Sequence, residues 1–88
     1  MIVVWVRSET PARIAEALRV ALGVTLRGDR VTVLLDAVAA TIVRAPLPPA
    51  DIARAFGTLK VLGHDVLASG DSAAASMFAA ASTVEVWT

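Results

Sequence analysis

The sequence predicts an α/β domain built on a parallel sheet, and three observations lead there. Short runs rich in β-branched residues recur at Ile2–Val6, Val31–Leu35, His64–Ala68 and Thr83–Trp87. Segments with apolar residues at helical spacing separate them. The first two runs are apolar almost throughout, which suits strands covered on both faces by helices, as in parallel sheets. With 88 residues, the chain makes one domain spanning 1–88, too short for two cores. The element order is β-α-β-(α)-α-β-α-β.

Each element has a local reason. Ile2–Val6 is bounded by Arg7 and Ser8. Thr10 then offers a helix N-cap, and Pro11 suits the first helical position because its missing N–H would be unpaired there anyway. Ile14, Leu18, Ala21, Leu22 and Leu26 follow at helical spacing, so a helix is predicted over 11–27, closed by Gly28 as a left-handed residue. Val31–Leu35 ends at Asp36, and two strands joined by one helix form a right-handed unit with the strands parallel. Residues 37–43 mix alanines with β-branched residues and read as a short helix or a turn. Prolines 46, 48 and 49 make the next stretch a loop. Ile52, Ala53, Phe56, Leu59 and Leu62 restore helical spacing over 50–62, with Gly63 closing it. The third strand follows at 64–68, a helix at 71–81 and the fourth strand at 83–87.

Composition narrows the function. Hydrophobic residues are 57% of the chain and charged residues 18%, against roughly 45–50% and about 25% in soluble domains. So small a domain, with so few charges to cover it, points to association with other subunits. The helix at 71–81 agrees, since Asp71 is its one charged residue. Either its bare faces are covered by the sheet and a neighbouring subunit, or its alanines and serines simply tolerate water. The longest stretch without Asp, Glu, Lys or Arg, Ser72–Val84, has 13 residues, short of the roughly 20 that span a membrane. The N-terminal segment reads as a strand rather than a leader, so a cytoplasmic protein is expected. Eight basic and eight acidic residues, scattered and without aromatic interleaving, speak against nucleic-acid binding. One histidine and no cysteine leave no disulfide and no set of zinc ligands. No metal or cofactor is expected.

Candidate site residues lie where strands run into helices, the usual ligand edge of a parallel sheet. Ser69, Gly70 and Ser72 precede a helix; they form either a small anion site or a turn in which Ser69 or Asp71 caps that helix. Asp71 disfavours an anion, because its charge already occupies the favourable field. Asp36 would either cap the following segment or meet a ribose or a partner. Ser8 and Thr10 occupy the turn after the first strand, which has no glycine-rich phosphate loop. A nucleophilic Ser69 would need His64, yet that residue starts the strand that Ser69 ends, roughly 16 Å away at about 3.3 Å per residue. No catalytic residue is assigned. Trp5 and Trp87 read as core or interface anchors, Trp87 being the better candidate for subunit contact.

The stretches Ile2–Val6, Ala15–Leu26, Arg27-Gly28-Asp29-Arg30-Val31-Thr32-Val33-Leu34-Leu35 and Leu62-Gly63-His64-Asp65-Val66-Leu67-Ala68-Ser69-Gly70 together resemble the DsrE/DsrF/DsrH family, which includes the Tus sulfur-relay subunits. The resemblance spans nearly the whole chain and rests on motifs common in parallel α/β proteins. It implies a flavodoxin-like, three-layer α/β/α fold, strand order 2-1-3-4, and dimers, trimers or hexamers. Active members carry a persulfide-bearing cysteine at the end of the third strand; Ser69 stands there, and a hydroxyl cannot hold a persulfide. The expectation is therefore a non-catalytic DsrE-like domain, an oligomeric partner of itself or of DsrE-like subunits, or a small-ligand-binding subunit. The alternatives are an enzyme or carrier with its site at the strand-end turns across a subunit interface, and a phosphate or nucleotide binder.

Overall fold

A computed structural model describes residues Met1–Thr88. In chain order the elements are β1 (Ile2–Val6), α1 (Pro11–Thr25), β2 (Val31–Leu35), α2 (Ala37–Val43), α3 (Ala50–Val61), β3 (Asp65–Ala68), α4 (Ala74–Ala80) and β4 (Thr83–Trp87). The four strands form one sheet with every neighbouring pair parallel. The fold class expected from the sequence is thus present, and the ambiguous stretch 37–43 is helical.

The strand order differs from expectation: it is 3-2-1-4, not 2-1-3-4. The helices explain why. Order 2-1-3-4 reverses direction after β2, and right-handed crossovers would then place α1 and α3 on opposite faces of the sheet. In fact α1 packs directly against α3, and their buried residues Ile14, Leu18, Ile52 and Leu59 enter one cluster. Both crossovers therefore step the same way, from β1 to β2 to β3. The connection through α4 carries the chain back past β2 and β1, so β4 pairs with β1 and α4 lies on the opposite face.

The two faces are unequally filled. Alternate strand residues Val4, Val6, Val31, Val33, Leu35 and Val66 point toward α1, α2 and α3 and belong to a cluster of 15 buried residues. On the α4 side the cluster has 3, Val3, Leu34 and Ala74, rimmed by Met1, Trp5, Leu67, Phe78 and Ala81. Thr32 is fully buried on that side and donates its hydroxyl to the Met1 sulfur at 3.3 Å.

Helix ends mostly follow the sequence. Gly28 and Gly63 adopt φ of +83° and +80°, the left-handed region in which a side chain is disfavoured. α1 stops at Thr25 rather than Arg27, because the Leu26 and Arg27 amides bond three residues back, to Gly23 and Val24. α4 is shorter than the expected 71–81. Asp71 turns back instead of capping it: its Oδ2 accepts from the Ala68 N–H at 3.1 Å, closing a turn before the helix begins.

Candidate functional site

The C-terminal ends of parallel strands are where side chains from separate crossovers meet. Here the turns after β1, β2 and β3 enclose a cleft of ≈ 380 Å³ lined by Arg7, Ser8, Glu9, Asp36, Ala37, Val38 and Ser69. Three residues expected at a site, Ser8, Asp36 and Ser69, are thus brought together from positions far apart in the chain. Thr10, Gly70 and Ser72 are exposed and do not line this cleft.

Asp36 organises the cleft. It occupies the N-cap position of α2, but its carboxylate makes no capping bond. Its Oδ1 accepts from the Trp5 indole N–H at 2.7 Å, and its Oδ2 lies 3.4 Å from the Arg7 Nε. The Arg7 guanidinium also sits 4.8 Å from the centre of the Trp5 ring. A half-buried indole N–H needs an acceptor, and β1 presents Trp5 where the end of β2 supplies one. The same ring meets Phe78 of α4, with centroids 5.1 Å apart and planes inclined at 70°. The cleft floor is therefore tied to the thinly covered side of the sheet.

The other polar groups are occupied by the fold itself. Ser8 is buried, and its Oγ accepts from the Thr10 N–H at 3.1 Å. This turn replaces the expected Thr10 cap; the Thr10 side chain makes no capping bond. The Ser69 N–H donates to the Leu35 carbonyl at 2.8 Å, extending the β2–β3 ladder by one residue. No histidine lines the cleft beside the Ser69 hydroxyl; the acidic side chains there are Glu9 and Asp36, and Asp36 is held by Trp5 and Arg7. His64 lies at the opposite end of the sheet, where its Nδ1 accepts from the Val31 N–H at 3.3 Å. No group of three or more His, Asp or Glu side chains comes together to hold a metal ion.

The charges in the lining weigh against an anion. One guanidinium, already shared with Asp36, faces the carboxylates of Glu9 and Asp36. The geometry suits a small neutral or cationic molecule with hydroxyl or amine donors better than phosphate. A second hollow, ≈ 390 Å³, lies between α1 and α3 where Ala12, Ala15 and Ala55 leave a furrow. It is remote from the strand ends and is bordered by ordinary helix-surface charges.

Arg7 and Val38 are lining residues that the sequence did not single out, while Glu9 and Ala37 lie inside the turns 8–10 and 36–37 that it did. Arg7 and Val38 lie within two residues of Ser8 and Asp36. The Trp5–Asp36 bond has no signal in the sequence, because it crosses between neighbouring strands 31 positions apart. No helix is long and apolar enough to cross a membrane. No protein-family model, no curated protein and no solved structure matches this chain.

Proposed function

We propose that the chain is a non-catalytic, DsrE-like subunit that acts by association, with itself or with related subunits of a cytoplasmic sulfur-relay system. One observation carries the association. On the α4 side of the sheet, Val84 and Val86 pair in register with Val3 and Trp5, yet remain 41% and 50% exposed, since no helix covers β4 on that face. Half-buried Trp5, Leu67, Met77 and Phe78 continue the apolar surface, and one uncovered sheet face is the kind of surface that subunit contacts bury. The missing thiol supports the non-catalytic part, because a hydroxyl at Ser69 cannot hold a persulfide and no histidine lines the cleft beside it.

Sedimentation equilibrium and light scattering on the purified protein test this reading. A stable oligomer at micromolar concentration is expected, or a complex with a cysteine-bearing relative on co-expression. A monomer throughout, with no such complex, would overturn it.

The cleft at the strand ends supports a second reading, in which the subunit also holds a small ligand. The convergence of Ser8, Asp36 and Ser69 favours it, and the excess of carboxylates directs it to hydroxyl- or amine-bearing molecules.

A further inference from the structure

The two edges of the sheet are finished differently. Along a strand, successive residues present their N–H and C=O groups to alternate sides. On β3 the Ser69 amide bonds β2, so Val66 and Ala68 point outward. Both are blocked by side chains: Arg44 Nη2 donates to the Val66 carbonyl at 3.3 Å, and Asp71 Oδ2 takes the Ala68 N–H at 3.1 Å. On β4 the Trp87 carbonyl bonds the Arg7 amide of the β1 side, so Val84 and Val86 point outward. Nothing in this chain reaches their N–H and C=O groups; β4 carries no lysine, proline or bulge, and Glu85 is its one charged residue.

The geometry points to a second copy of this chain as the occupant of that edge, paired β4 to antiparallel β4 about a two-fold axis through Val86. This assignment rests on the association proposed above and gives it a surface and a register. Only residues with outward groups can exchange hydrogen bonds, which leaves registers centred on Val84 or on Val86 and one midway between them. The midway register sets Glu85 directly across from Glu85 of the other copy, at the close non-hydrogen-bonded site where Cα atoms lie about 4.5 Å apart; like charges there oppose pairing. The register centred on Val86 sets Glu85 across from Trp87 of the other copy. The Arg13 guanidinium lies 5.0 Å from the centre of that ring and donates to the Thr88 carbonyl beside it. Glu85 has no ion-pair partner within its own chain. By symmetry the contact occurs twice, joining a free carboxylate to a guanidinium that rests on an aromatic ring and also lies 3.4 Å from Glu16 of its own helix. The register centred on Val84 sets Glu85 against Thr83 and gains no such pair. Charge complementarity thus selects Val86 as the centre, and the exposed Val86 side chains meet on the α4 face.

The absence of native cysteine makes the register directly readable. In the Val86→Cys variant the two Cα atoms stand about 5.5 Å apart, within disulfide range, so mild oxidation of dilute protein is expected to give a covalent dimer within minutes. The Val84→Cys and Glu85→Cys variants are expected to stay unlinked. Glu85→Arg is expected to weaken the dimer about tenfold or more, and adding Arg13→Glu to restore it. Covalent dimer from Val84→Cys or Glu85→Cys in place of Val86→Cys would overturn the register. Wild-type protein that is oligomeric, with none of the three variants cross-linking, would overturn the edge pairing and leave association standing. A monomeric wild type would overturn both.

Discussion

The two faces of the sheet are built to different standards. On one, α1 and α3 lie side by side and bury Ile14, Leu18, Ile52 and Leu59 against strand valines that are themselves inaccessible. On the other, a single helix of 7 residues covers Val3 and Leu34 and leaves Val84 and Val86 open. Chemically similar strand residues are thus core on one side and surface on the other, according to what the crossovers lay over them. The apolar excess of the composition is not all spent on the interior. The larger core lies on the α1–α3 face, and the α4 face keeps apolar surface exposed.

That contrast can be broken from the strong side first. Leu18→Ala is expected to cost about 2–5 kcal/mol, a large share of the roughly 4–13 kcal/mol of a domain this size; urea unfolding followed by circular dichroism measures it. Phe78→Ala, on the thin side, should cost about 2 kcal/mol, because the ring is half-buried and a fully buried phenylalanine costs about 3–5. A loss equal to that of Leu18→Ala would show the faces to be equivalent. Smaller still is the effect of the Trp5 partner. Asp36→Ala leaves the indole N–H without an acceptor, at about 1–2 kcal/mol. Asp36→Asn keeps an acceptor oxygen and forfeits only a half-exposed ion pair with Arg7, under about 1 kcal/mol. The same unfolding curves, read by tryptophan fluorescence, separate the two variants.

Much of this was legible in residue patterns and some was not, for physical reasons. The strand runs and the helices over 11–25 and 50–61 follow from spacing, proline and glycine placement, and each is a local matter. Strand order is not local. Nothing in β3 says whether it prefers β1 or β2; the choice is made by which helices can share one face, and α1 and α3 do. Ser8, Asp36 and Ser69 converge because parallel strands put all their C-terminal turns at one edge, which the sequence does foretell. What Asp36 bonds there is decided across the sheet. A cap was the local expectation, and an indole 31 residues earlier in the chain displaced it. Asp71, expected to begin a helix, closes the preceding turn because the outward Ala68 N–H would otherwise be unpaired on an edge strand.

The pairing of β1 with β4 also has a consequence in time. These strands are the first and last of the chain, and the Ser82 hydroxyl donates to the Met1 carbonyl across 81 residues of sequence. As the chain leaves the ribosome, β1, α1, β2, α3 and β3 can assemble with nearly all of the larger cluster before β4 exists. The free side of β1 stays unpaired until then. Closing that last ladder forms the contacts of greatest sequence separation, which fold slowest, so β4 should be the final element to lock.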